Sequence, residues 1–542
     1  MANTPHLRLY QSKSRYQLGL AGVFALISLG FLCLWTLANT GVTSNFFTQL
    51  LSDSYIRHVI FITIKQALLS VFFATLIGSL GALAFHRRAQ FKGRNILLLA
   101  CFSAMIMPST VAALSLLKLW GQSGFIAQTP LAFLLPQKLG LWSVILAHVF
   151  FNAPLVMRVC LSALDAVSAA NKRSAALLHL SAWQYFWILD WPAIRAVLPS
   201  IMGLVFLLCA TSFSLVLMLG GGPAVTTLEV SIYTSLRFDF NLPKAAFLSF
   251  VQLIICLIVV RLFGRGRTHI SALSRTYERA IPRADSQQSF MRVIDTLIIA
   301  IIVVLTILPV ILLILQSDIS AGAYLLQEAR FWQAFSNSVL LAIGASMLAL
   351  ILAFTLGFLA HEARLRGKNF LLQMIDISHS LFLLIPALVL GTALFILLRP
   401  YIDVSAYAFW ILMLGNGLLA LPFCHRIIAP ALLRHLAETD RLCEMLPLSQ
   451  MRRLFIIILP SLRSEIGFAL GLSAALSFGD LGIITLFGSQ SFETLPYMMF
   501  SFLSRYGAEE ADILALILLC TSLGLYGLFT KLIGLWGVRV AR

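Results

Sequence analysis

The chain has 542 residues, 60% of them hydrophobic and only 11% charged, with a mean hydropathy of +0.92. So little polar surface cannot enclose a water-soluble core of that size, which excludes a soluble globular protein and predicts a polytopic membrane protein. A net charge of +17 suggests nucleic acid at first sight, but basic residues concentrated in short cytoplasmic loops account for it with no nucleic-acid partner.

A helix needs about 20 mainly apolar residues to cross about 30 Å of hydrocarbon. Twelve stretches qualify: 17–38, 59–84, 95–119, 141–163, 194–219, 244–264, 292–316, 335–360, 370–398, 405–425, 465–487 and 511–536. The fold class expected is therefore all-α, with about twelve transmembrane helices. The first apolar run lacks a small-residue cleavage site near Ala38 and reads as a retained span. With the N-terminus inside, more than three quarters of the 39 lysines and arginines fall on the inner side, so both termini are expected in the cytoplasm. The eight cysteines are scattered singly, a pattern of packing residues rather than of a disulfide or metal site.

Between Arg261 and Arg292 lies the only long hydrophilic connector, with seven arginines and no lysine. Dividing the chain there gives a first half over 1–264, an Arg-rich cytoplasmic linker over 265–291 that can touch anionic lipid headgroups, and a second half over 292–542. The halves repeat one another. Gly93-Arg94-Asn95 aligns with Gly367-Lys368-Asn369, and Pro154, Arg158 and Ser181 align with Pro422, Arg426 and Ser449. An even number of spans in each half gives both repeats the same orientation, and a pathway at their interface is expected.

The most distinctive repeat is a cytoplasmic stretch, NKRSAALLHLSAWQYFWILDWP over 171–192, matched without a gap by TDRLCEMLPLSQMRRLFIIILP over 439–460. Ala176, Leu180, Trp183 and Trp187 fall at i, i+4, i+7 and i+11, which predicts one face of a short helix. Pro192 and Pro460 then end the helix and redirect the chain into the next span. An interfacial helix lying on the bilayer would look similar. Two equivalent copies favour two equivalent sockets on a dimeric partner, docked helix in groove.

Polar groups inside spans are costly and so mark candidate sites. Asp480 lies in SFGDLG, with Ser212 as its counterpart in the first half; His148 aligns with Asn416, and Asn152 lies one turn after His148. These five are candidate pathway residues. The outer segments Gly220 to Asn241 and Gly488 to Tyr506 are long enough for short helices, and Thr226, Thr227, Tyr233 and Tyr497 there are candidate outer-gate residues, whose aromatic rings can stack on a cationic ring.

The repeated cytoplasmic stretch resembles the coupling loop of ATP-binding-cassette (ABC) importer permeases, best in its Trp-x-x-Phe and terminal proline. The glycine usual in that loop falls on His179 and Pro447, and its Glu-Ala-Ala opening on Arg173-Ser174-Ala175 and Arg441-Leu442-Cys443. The resemblance implies a type I permease fold and assigns ATPase coupling to Ala176, His179, Leu180, Trp183, Phe186, Trp187 and Pro192, and to Pro447, Leu448, Met451, Leu454, Phe455 and Pro460. AHVFFNAPLVMR (147–158), LGGGPAVTTLEVSIY (219–233) and SFGDLGIITLFG (477–488) are similar to the thiamine permeases of that family. They imply an importer of thiamine or its phosphates in the bacterial inner membrane, working by alternating access with two copies of an ATPase subunit and a periplasmic binding protein. No GxxxxGK[ST] phosphate loop is present, so the chain itself is expected to be no enzyme and to hold no cofactor or metal, with ATP and magnesium on the partner. Ferric iron is the alternative cargo within the family; an ATP-independent secondary transporter and a membrane-embedded enzyme are the alternatives outside it.

Overall fold

The computed structural model describes residues 13–42, 48, 52–104, 107–121, 124–130, 132, 140–178, 180–263, 289–445, 452–489, 492–505 and 507–535. Most of the Arg-rich linker lies outside them. Among the described residues the secondary structure is helical, with one isolated bridge between Ser489 and Phe492.

The first half holds α1 (Lys13–Gly41), α2 (Ser54–Arg87), α3 (Arg94–Ser103), α4 (Ser109–Trp120), α5 (Leu141–Asp165), α6 (Ala169–Leu177), α7 (Ala182–Tyr185), α8 (Trp191–Ala210), α9 (Ser214–Leu219), α10 (Leu228–Arg237) and α11 (Leu242–Phe263). The second half follows with α12 (Ser289–Gln316), α13 (Ile319–Leu325), α14 (Ala329–Leu365), α15 (Asn369–Leu384), α16 (Ala387–Leu398), α17 (Ala408–Met445), α18 (Arg463–Phe478), α19 (Ile484–Phe487), α20 (Leu495–Ser504) and α21 (Ala508–Leu535). Nine of these are long and apolar enough to cross a membrane, or up to eleven when two bent pairs are each taken as one span.

Four of the twelve expected spans, 95–119, 194–219, 370–398 and 465–487, are not single straight helices. Over 95–119 the chain forms α3 and α4, with Pro108 at the N-cap of α4; over 370–398 it forms α15 and α16, bent by 98° ahead of Pro386. Proline disfavours helix in the residue before it and has no N–H to continue the ladder, so both third spans break at the same kind of residue. The eleventh is bent by 73° next to Pro460.

The repeat read from sequence is repeated in backbone geometry. Gly93 and Gly367 both carry a positive φ, 90° and 64°, in the turn that joins the second span to the third. That left-handed region is open to glycine at no steric cost. In each half the second span packs against the fourth, α2 on α5 and α14 on α17. A Cβ at Gly78 of α2 would lie 2.6 Å from the Ala153 carbonyl of α5, so a side chain there would force the two apart.

Two compact units emerge, and they do not follow the halves. One comprises Met1–Asn45, Ile232–Leu253 and Ile319–Arg542; the other comprises Phe46–Ser231 and Ile254–Asp318. Each includes the first span of the opposite half of the sequence, and the first unit takes Ile232–Leu253 from it as well. In the first unit α1 packs on α14, α15 and α16; in the second α12 packs on α2, α3 and α4. The exchanged helices are held by charged or aromatic clasps near their N-terminal ends. Asp295 of α12 is fully buried; its Oδ1 accepts from Arg87 Nε (2.9 Å) and Nη2 (2.6 Å), and Arg88 Nε lies 3.1 Å from its Oδ2. In the other unit Tyr16 of α1 lies under the Arg366 guanidinium, 4.3 Å from it, and its hydroxyl is 3.2 Å from Lys368 Nζ.

The structure also sorts the faces of spans that sequence shows as apolar all round. On α12, Phe290, Val293, Leu297, Ile301 and Val304 are exposed at spacings of three and four, whereas Asp295, Ile302, Thr306, Pro309 and Leu313 are buried. The first stripe is left open on the surface. The second meets protein.

Candidate functional site: coupling segments, span breaks and outer helices

The repeated stretch of the first half is built from two short helices, not one. Ser168 caps α6; the helix ends at Leu178, and Ser181 starts α7 with a reciprocal capping box, its Oγ accepting from Gln184 N at 3.3 Å while Gln184 Oε1 accepts from Ser181 N at 3.0 Å. The single face predicted through Ala176, Leu180, Trp183 and Trp187 is therefore broken: Ala176 lies in α6, Leu180 in the turn, Trp183 in α7 and Trp187 beyond it. The capping signal Ser-x-x-Gln was legible in the sequence and overrides the apolar spacing, because a side chain that satisfies the first free N–H groups restarts a helix locally.

What the stretch presents is a cluster of aromatic rings. Trp183 stacks on Phe186 with centroids 6.1 Å apart and meets Trp187 edge-on at 5.6 Å, and Trp191 closes the group at 6.2 Å from Phe186 and 6.0 Å from Trp187. Trp183 is 69% and Trp187 48% exposed. Large aromatics held against each other and left open on one side make a rigid contact surface with little rotamer entropy to lose.

Both copies leave the stretch through a π-helical turn that neither sequence reading predicted. Phe186–Asp190 in the first half and Arg453–Ile458 in the second are π-helical, and each runs into a helix that carries proline at its second position, Pro192 and Pro460. A π turn inserts one residue into the helical ladder and recurs at functional sites. In the second copy Leu454 is half-buried and Phe455 is 57% exposed. His179, Pro447, Leu448 and Met451 lie outside the described residues.

The polar groups expected along the pathway gather where the fifth span of each half is broken. In the first half α8 stops at Ala210 and α9 starts at Ser214, so Ser212 sits in the break, its N–H donating to the Cys209 carbonyl at 3.3 Å. Asn152 Nδ2 donates to the His148 carbonyl (2.9 Å) and lies 3.5 Å from Cys209 Sγ; His148 Nδ1 is 3.0 Å from Ser70 Oγ; Gln66 Nε2 donates to the Cys209 carbonyl at 2.8 Å. His148 Nε2 and Gln66 Oε1 remain buried without a partner among the described residues. Gln66 and Ser70 were missed from sequence, although polar residues one turn apart in an otherwise apolar span were a usable signal.

The second half breaks at the aligned place. Between α18 and α19, Asp480 Oδ1 accepts from Gly482 N at 3.0 Å and Oδ2 from Ile483 N at 3.3 Å, so the carboxylate caps the short helix that follows. Asn416, the counterpart of His148, places its Nδ2 3.1 Å from the Oγ of Ser477, three residues before Asp480. Discontinuous helices of this kind leave backbone groups free to meet cargo inside a membrane protein. His379, by contrast, packs on His425, their rings 4.0 Å apart. Among the described residues no group of three or more His, Cys, Asp or Glu is set to hold a metal ion.

The outer segments do form helices, α10 and α20, each ten residues long. Their starts are secured alike: Leu228 N donates to Thr63 Oγ1 of α2 at 2.9 Å, and Leu495 N donates to Ser338 Oγ of α14 at 2.8 Å. Of the gate candidates, Thr226 and Thr227 precede α10, Thr227 being buried. Tyr233 and Tyr497 lie close together in one unit. Burial first, and Tyr497 second, push the Tyr233 phenol up, while Arg237 opposes them. Arg237 Nη2 also donates to the Gly488 carbonyl at 3.3 Å, tying α10 to the segment before α20.

Twin repeated segments, broken fifth spans and paired ten-residue helices define a membrane protein built of two homologous halves. Residues 74–265 match the family described as binding-protein-dependent transport system inner membrane component. The chain is similar over nearly its full length to the thiamine transport system permease protein ThiP of Salmonella typhimurium, at 32% identity over 527 residues and 95% of each chain. That of Escherichia coli is 32% identical over 521 residues, 94% of this chain and 95% of its own, and that of Brucella melitensis 35% identical over 479 residues, 87% of each. The chain belongs to this family of inner-membrane transport permeases. Membership makes it a multi-pass inner-membrane protein and a transport subunit that works with an ATPase and a binding protein.

Proposed function

We propose that this chain is the membrane subunit of an ATP-driven importer of thiamine, or thiamine phosphates. The observation that carries the reading is the end-to-end similarity to thiamine permeases, which spans both halves and both coupling segments. Both termini lie in the cytoplasm. Two copies of an ATPase bind there, one on the aromatic cluster around Trp183 and Phe186 and one on the stretch that ends at Leu454, Phe455 and Pro460. ATP and magnesium sit on those partners, and the permease has no cofactor of its own.

Closure of the ATPase dimer moves both segments together. The π turns before Pro192 and Pro460 pass that movement into α8 and α18, whose outer ends carry the breaks at Ser212 and Asp480. Cargo arrives from a periplasmic binding protein at the outer helices, where Thr226, Thr227, Tyr233 and Tyr497 form the gate, and passes His148, Asn152 and Asn416. The test is uptake of labelled thiamine in a strain lacking its own importer, with and without the co-expressed ATPase and binding protein. Import that depends on the ATPase is the expected result. Import without it would sink the ATP-driven reading.

A further inference from the structure

Glu229 is a carboxylic acid in the first turn of α10, outside the candidate spans. It is 1% exposed, and neither carboxyl oxygen has a hydrogen-bond partner among the described residues. An ionised carboxylate without partners in an apolar setting is too costly to persist, so the group rests as the neutral acid. Burial accordingly holds its carboxyl well above the ordinary range. Its charge, if formed, would be felt by the buried thiol of Cys256 on α11. Among the described residues no ion pair offsets its charge.

The second half supplies an internal control. α20 has the same length as α10 and the same start, a backbone N–H taken by a hydroxyl of the second span of its half. The residue that follows is Pro496 where α10 has Glu229. The start of α20 thus has no acid at this position; the carboxylate near it, Glu493, is paired with Arg330 of α14, its Oε2 accepting from Nε at 2.7 Å and its Oε1 from Nη2 at 2.8 Å, whereas Glu229 has no such pair among the described residues. Gly221 and Gly222, with φ of 69° and 112°, precede α10 and give its connection a backbone that side-chain-bearing residues rarely adopt.

We propose that Glu229 receives the positively charged cargo at the outer side of the permease, its carboxylate pairing with an organic cation of the thiazolium type. The inference rests on the thiamine reading above. As the cation arrives, the carboxyl O–H releases its proton to outer water and the cation takes its place; as the cation leaves, a proton returns. No other bond changes, and no charge is left buried alone. The N-terminal end of α10 favours the anionic form once it is reached.

The experiment uses the whole complex, permease with ATPase and binding protein, in lipid nanodiscs. N,N′-dicyclohexylcarbodiimide, which attacks protonated carboxyls in apolar surroundings, is applied and the adduct located by peptide mass spectrometry. An adduct on Glu229 that falls severalfold when thiamine-loaded binding protein and ATP are added is the expected result. Failure of thiamine to protect, or absence of an adduct, overturns the proposal. In parallel, E229Q is expected to lower thiamine import about tenfold at limiting cargo while still co-purifying with the ATPase, and E229D to recover part of it. Unchanged import by an assembled E229Q overturns the proposal alone, whereas a wild-type complex that imports no thiamine overturns the cargo reading and this inference with it. Should E229Q not assemble, the protection measurement on the wild type decides.

Discussion

Substituting Asp295 tests how the exchanged helix α12 is held. Its carboxylate is fully buried and lies between two guanidinium groups, those of Arg87 and Arg88, whose side chains are themselves only 13% and 16% exposed. Removing one partner of a buried ion pair leaves uncompensated charge, at a cost of about 3–5 kcal/mol. D295A leaves two such charges, so the upper part of that range applies. At about 2 °C per kcal/mol for a unit of this size, the apparent melting temperature should fall by about 8–10 °C. The assay is fluorescence-detected size exclusion after heating of detergent-solubilised protein, with wild type alongside. The triple variant R87M/R88M/D295L, which replaces the cluster by apolar groups, should recover most of the loss. A D295A protein that melts with the wild type would refute the claim that this cluster pins α12 to α2.

Removing the hydroxyl that caps either outer helix should cost alike in the two halves. T63V and S338A each strand one backbone N–H, worth about 1–3 kcal/mol, and thermal shifts that differ widely between them would count against equivalent roles. Charged substitutions on the exposed aromatic cluster, W183D with W187D, should leave melting unchanged but cut ATPase co-purification about 30-fold, as loss of a docking anchor worth about 2 kcal/mol would; full retention of the ATPase would contradict docking there. Glu229 sets a direction for pH. Its carboxyl in the folded protein sits above the ordinary value of 4.5, so the stability it contributes is complete below that value and is lost as pH rises through the folded one. Melting temperature should therefore fall more steeply between pH 5 and 8 in the wild type than in E229Q, and parallel curves would mean that Glu229 has a partner in the resting state.

Hydropathy and duplication made most of the architecture legible before any coordinates. Pro192 and Pro460, Gly93 and Gly367, and the His148 and Asn416 pair were all aligned from sequence, and each pair holds matching places in the two halves of the fold. The coupling stretch was found for the same reason, as polar residues in an apolar chain. Its internal shape was misread, since apolar spacing continued across a point where Ser181 and Gln184 restart the helix. Nor did local pattern indicate the π turns at Phe186–Asp190 and Arg453–Ile458, which depend on how the segment is drawn into the span that follows.

By itself, then, the sequence determined what lipid and water impose: apolar stretches of span length, basic loops on one side, proline at the breaks, and two copies of one plan. These are local or periodic properties, written in neighbouring residues. Only the tertiary structure decided that α1 and α12 each pack on the other half, that Gln66 and Ser70 join His148 around Cys209, that Asp480 caps a broken helix, and that Glu229 has no hydrogen-bond partner among the described residues. Each of those facts joins residues far apart along spans that are apolar on nearly every face. Apolar surface buries without direction, so packing contacts alone choose which face meets which.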